Sequence, residues 1–151
     1  MIGSITASFG SFLEREIETF ICELQIFPGE YFWEIPDGVK NSAGILAQHI
    51  TGNLNHFIGH GLGNTGYIRQ RDQEFIRSER KIEEIVAELE ETKITVAKVF
   101  SRLDDADLEK PYPIEIPFEL NTFGMLLQLH HHLSYHLGQL NYLRRIITKS
   151  N

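Results

Sequence analysis

Residues 121–147 read NTFGMLLQLHHHLSYHLGQLNYLRRII, and this stretch decides the fold. Leu126, Leu129, Leu133, Leu137, Leu140, Leu143 and Ile147 recur every three or four residues, the spacing that lays one apolar stripe along a 3.6-residue helix. Asn121 or Thr122 is placed to cap its start. Arg144, Arg145 and Lys149 are placed against the negative end of its dipole. A helix this long with a leucine face needs partners to bury that face.

Working back from it, three earlier segments carry the same period. The first runs from about Ile5 to Phe27, with Phe9, Phe12, Leu13, Ile17, Phe20 and Leu24 on its stripe, and Pro28-Gly29 stops it. The second begins near Asn41-Ser42 and continues through Ile45, Leu46, His49, Ile50, Leu54, Phe57 and Ile58. Gly59, Gly61, Gly63 and Gly66 then loosen the chain. The third spans about Asp72 to Leu103, rich in Glu, Lys and Arg, with Ile82, Ile85, Val86, Leu89, Val96 and Phe100 facing inward. Between third and fourth, Pro111, Pro113 and Pro117 predict an extended crossover with room for a short strand at Ile114-Glu115-Ile116. The expected fold is all-α: a single domain over residues 1–151, a four-helix bundle with a long crossover before its last helix.

Composition narrows the function classes. The chain has 151 residues, 42% apolar and 23% charged, which is ordinary for a globular domain with a real core. Its 14 basic and 21 acidic residues leave a net charge of −7, and no basic cluster is large enough to serve a nucleic acid. One cysteine excludes an internal disulfide and a thiolate-rich metal site; Cys22, lying among apolar neighbours, is expected to act as a small core residue. The opening MIGSITASFG lacks the basic start and apolar run of a secretory leader, and no stretch reaches the ~20 apolar residues of a membrane span. The expectation is a cytoplasmic protein acting on a small molecule.

The seven histidines fall in two groups, His49, His56 and His60 on the second helix and His130, His131, His132 and His136 on the fourth. His132 and His136 flank the leucine stripe at i, i+4, so their rings share one face; His130 and His131 turn toward solvent or a partner. Two neutral imidazoles at that spacing make a two-point platform for a metal ion, although two hydrogen-bonded core rings would look the same. His49, flanked by Leu46, Ile50 and Leu54, also faces inward and offers a third nitrogen from a second helix, the way bundle metal sites are assembled. Three histidines would leave positions open for water or substrate. Asn53, one turn after His49, is placed to bond such a water. His56 and His60 lie about 10 and 16 Å along the axis, too far to share the ion, and suit a pocket rim and the surface respectively. Arg144 is placed to meet an anionic substrate. Tyr31 and Trp33 line an entrance or plug a bundle end; Tyr135 and Tyr142 serve packing or an interface.

The run His132-Leu133-Ser134-Tyr135-His136-Leu137-Gly138-Gln139, followed by Leu143-Arg144-Arg145, resembles the last-helix signature of the DinB/YfiT-like superfamily. The helix-two context Ile45-Leu46-Ala47-Gln48-His49-Ile50 resembles the source of its third ligand. The resemblance extends over essentially the whole chain. It implies that His49, His132 and His136 are the metal ligands, that Gly138 permits close helix approach, and that Gln139 supports a ligand or its packing. It further implies a homodimer. The chain departs from the usual pattern in having Leu137 where many members carry Arg, and Asn41 where many carry Trp.

A three-histidine site fits zinc, nickel, iron(II) or manganese, and leaves the ion's full charge to lower the pKa of a bound water or thiol. The activity that the resemblance implies is S-transfer with a low-molecular-weight thiol. Metal-dependent hydrolysis is the alternative on the same ligands, and a non-catalytic dimeric bundle is the alternative of another class.

Overall fold

Three of the four helices begin at a polar side chain that takes up a free backbone N–H of the first turn. Ser4 accepts from Ala7 at 3.0 Å ahead of α1 (Ile5–Gln25), and Ser42 accepts from Ile45 at 3.2 Å ahead of α2 (Ala43–Leu54). Ahead of α3 (Ile82–Phe100) the bond runs the other way, the Lys81 N–H donating to the Glu84 carboxylate at 2.7 Å. Asn121 accepts from Gly124 at 2.8 Å to start α4 (Thr122–Thr148). Such caps are each worth about 1 kcal/mol. The computed structural model describes residues 3–149, and among them there are helices and turns but no strand.

Both α1 and α2 pack against α3 and α4, giving a four-helix bundle. Its core is Leu13, Ile17, Phe20, Ile21 and Leu24 of α1, Leu46, Ile50 and Leu54 of α2, Ile85, Leu89 and Val96 of α3, and Leu126, Leu129, Leu133, Leu140 and Leu143 of α4. Burying a leucine or isoleucine contributes about 1.5–3 kcal/mol, so this shared interior is what holds four individually marginal helices together. Among the described residues no helix is long and apolar enough to cross a membrane.

Several expectations are corrected. Cys22 is exposed, because the adjacent Ile21 takes the buried position and one helical step turns the thiol outward. Ile5 and Phe12 also lie largely outside the core. The first helix ends at Gln25, two residues early, yet Phe27 stays buried and meets the Phe32 ring edge-on. The expected strand at residues 114–116 is absent; the crossover makes only one isolated bridge, Pro111 with Asn121, since a proline ring removes a ladder donor. The third helix begins ten residues later than its charge pattern suggests. Residues 71–75 form a short 3₁₀ turn, and α2 holds the following stretch outside the helix. Gln48 Nε2 donates to the carbonyls of Glu74 and Ile76 at 3.4 and 3.1 Å, and Ser78 Oγ donates to Gln48 Oε1 at 3.0 Å.

Candidate metal centre

The packing of α2 against α4 sets the inward faces of two histidine-bearing helices opposite one another. His49 comes from the middle of α2 and is 6% exposed; His136 of α4 is 9% exposed, and His132 is half-buried one turn before it. One nitrogen from each ring falls within 4.8 Å of the other two. His49 Nε2 and His132 Nε2 are 2.9 Å apart. The ring centroids stand 4.9 Å (His49–His132), 5.1 Å (His49–His136) and 4.5 Å (His132–His136) from one another. Nitrogens bonded to one ion at about 2.0–2.1 Å lie at most about 4.2 Å apart, so small ring rotations bring all three into reach of a common point.

Two of the rings are held from behind. His49 Nδ1–H donates to Glu74 Oε1 at 3.0 Å, which leaves the Nε2 lone pair pointing at the other imidazoles. His136 Nδ1–H donates to Gln139 Oε1 at 2.6 Å with the same consequence, so the resemblance-based support by Gln139 has a concrete form. This is how metal-binding histidines are normally oriented. Glu74 is itself gripped by Arg69, whose Nε and Nη2 donate to its two oxygens at 2.7 Å each, both side chains being nearly buried. Gly52, one turn after His49, makes room: a Cβ there would lie 2.3 Å from Glu74 Oε2. Phe75 packs over His49 at 4.9 Å, and Tyr135, largely exposed, meets the His136 ring edge-on at 5.4 Å.

The electrostatics suit a cation. Burial, then the repulsion that a proton on His132 would meet from the neighbouring His136 and His49 rings and from Arg69, pushes His132 down to about 4. Burial also lowers His136, against the opposing hydrogen bond to Gln139. These two rings are therefore neutral at pH 7, the form that binds metal. Burial works to raise Glu74, but the hydrogen bonds from His49 and Arg69 outweigh it and hold the carboxyl below its ordinary range.

The remaining sequence candidates sit elsewhere along the same helices. Asn53 is buried, and its Oδ1 has no hydrogen-bond partner among the described residues; the same is true of His56 Nδ1 and His60 Nδ1. The backbone widens into a π-helical turn over Asn55–His60, which sets the His56 and His60 rings roughly parallel at 6.1 Å. Burial, then Arg69 and His60, lowers His56. His60, expected at the surface, is half-buried. His130, expected to turn outward, rests edge-on against Phe12 at 6.1 Å with its Nε2 buried and unpartnered, whereas His131 is exposed. Arg144 is tied to α1 by Glu23, its Nε donating to Oε2 at 2.7 Å, and Asn141 Nδ2 donates to the same carboxylate at 2.7 Å. Trp33 donates its indole N–H to the Arg80 carbonyl at 3.1 Å. Gly138 is corrected: a Cβ there would meet nothing within 4 Å, so no helix of this chain needs its small size.

Arg69 and Glu74 are the site residues that sequence reasoning missed. In the run Arg69-Gln70-Arg71-Asp72-Gln73-Glu74 both look like ordinary surface charges, and no spacing rule links position 74 to His49. The one local trace is Gly52, a small residue inside a helix one turn from His49.

The family described as "Protein of unknown function (DUF1572)" matches residues 21–151. An uncharacterised protein from Clostridium difficile 630 superposes with a TM-score of 0.72 at 12% identity, covering 97% of this chain and 99% of that one. A protein from Streptococcus pneumoniae superposes with a TM-score of 0.69 at 12% identity, covering 99% and 92%. At this identity the likeness is one of fold. No curated protein matches the chain in sequence.

Proposed function

The chain belongs to the DUF1572 family, whose description carries no activity, and we propose from the site itself that it binds one divalent metal ion through His49, His132 and His136. The observation that carries this reading is the convergence of three imidazole nitrogens from two helices, two of the rings being anchored at Nδ1 by Glu74 and Gln139. The ligand set, helix order and crossover support a proposed kinship with DinB/YfiT-like bundles. A bound ion would supply Lewis acidity and lower the pKa of a group attached to it.

The chain's own residues favour an anionic substrate atom. An imidazole brings no negative charge to an ion it binds, and Arg69 pairs with Glu74 close by, so the three proposed ligands would leave a divalent charge unneutralised. A thiolate meets that demand, and the proposed reaction is attack of a low-molecular-weight thiolate on an electrophilic carbon, the new C–S bond forming as the bond to the leaving group breaks and that group departs with its electron pair. Asn53 on α2 and His56 in the π-helical turn after it, each with a buried polar atom to spare, are the residues proposed to hold a polar group of the substrate.

A second copy of the chain is the proposed partner. Phe123, Leu127, Tyr135, Tyr142 and Ile146 are exposed on one arc of about 140° on α4, with no charged side chain among them before Arg145.

The test is elemental analysis of protein purified without an affinity tag, then metal titration with thiol-plus-electrophile and ester assays. One ion per chain in the wild type and none in a folded His132→Ala variant is the expected result. A wild type that takes up no ion defeats the metal reading. Ester cleavage without thiol transfer replaces the transferase reading by the hydrolase one.

A further inference from the structure

Residues 64–80, between the π-helical turn and α3, bury their side chains in an unusual order. Glu74 is the one buried residue of this segment, 7% exposed, while Ile68 and Ile76 stand 84% and 53% exposed and Phe75 is exposed beside it. Burial of apolar surface therefore does not hold the segment down. Polar bonds do, chiefly to two consecutive residues of α2: Glu74 to His49, and the Glu74 and Ile76 carbonyls and Ser78 hydroxyl to Gln48; at the far end Trp33 and Glu88 bind Arg80. Arg69 closes the arrangement from within the segment, its guanidinium resting against the Phe57 ring at 5.5 Å. A carboxylate inside a bundle is costly unless fully paired, so it stays only where each partner stays.

We infer that Glu74 is a positioning residue coupling the metal centre to the α2–α3 connection, so that an ion on His49 and closure of residues 69–78 stabilise one another. This rests on the metal-binding reading above. Glu74 holds the His49 ring with Nε2 toward His132 and His136. By thermodynamic reciprocity, whatever fixes His49 from the front tightens its hold on Glu74 behind, and with it the segment that Glu74 anchors. The connection carries Arg69, Arg71, Arg77, Arg80 and Lys81, so trypsin reports directly on how often it opens.

The experiment combines zinc titration against a competing chelator with tryptic cleavage and amide hydrogen exchange of residues 69–78, with and without zinc. In the wild type, zinc slows exchange and cleavage of this segment more than of α1 or α3. Glu74→Gln, which keeps the size and one acceptor oxygen but removes the charge and turns the other acceptor into a donor, weakens zinc binding by roughly 10- to 100-fold, and zinc then no longer protects the segment. Gly52→Ala, which displaces the carboxylate without touching a ligand, reproduces both effects. A Glu74→Gln protein that folds, binds zinc as the wild type does and is equally protected by it overturns the coupling while leaving the metal site standing. A wild type that binds zinc without any change in the segment overturns it too. A wild type that binds no zinc removes the metal site and the coupling together.

Discussion

Along a single run of α2 and the turn after it, His49 and the pair His56–His60 meet opposite fates. The His49 ring is committed at both nitrogens, Nδ1 to Glu74 and Nε2 to His132, and its counterpart His136 is tied to Gln139. His56 and His60 are only half-buried, yet each keeps a buried Nδ1 without a partner among the described residues, as does His130 at Nε2. Supported rings around a common point are what a bound ion requires. Unsupported buried nitrogens cost stability, and the sites that keep them are the ones where a ligand would repay it.

The comparison breaks most visibly if the two groups respond alike to deletion. His49→Ala is expected to abolish metal uptake altogether, whereas His60→Ala leaves one ion per chain, as plasma emission analysis of folded protein checks. A milder effect comes from acid. In metal-free protein, His132 has its folded pKa at about 4 against about 6.5 in the unfolded chain. Between those values the unfolded state takes a proton that the folded one refuses. The contribution is thus complete above pH ~6.5, declines as pH falls and is exhausted near pH 4. Denaturant melts across this window should show the slope, and His132→Gln should flatten it.

Gln139→Ala removes a neutral support, so it should weaken the ion by about 1 kcal/mol, roughly fivefold, less than the loss of charged Glu74 support. The smallest effect on the fold is expected at His56. His56→Leu replaces an unpartnered nitrogen by apolar atoms of similar size and should leave stability unchanged or raise it by up to about 1 kcal/mol. If His56 serves the substrate, the same variant raises KM for thiol or electrophile while metal content holds; unchanged KM makes His56 a packing residue.

Leu126, Leu129, Leu133, Leu140 and Leu143 declared their helix and its buried face by spacing alone, because each lies within one or two turns of the next. His49, His132 and His136 could be picked out by the same reasoning. Where long-range contacts competed with local pattern, the pattern misled. Residues 72–81 look helical, but Gln48 binds their backbone and carries them away from the helix axis. Cys22 looked internal because a helical stripe has a width, and only packing against the other helices decides which edge residue turns outward.

The amino-acid order on its own determined the four helices, their apolar faces and the inward turn of three histidines, since those follow from periodicity and capping over a few residues. Only the tertiary structure decided that an acidic side chain from a charged connection enters the bundle, takes its charge partner with it and stands behind His49. Such an arrangement depends on a gap left by Gly52 and on the balance of burial against pairing, and neither is encoded within any short stretch of the chain.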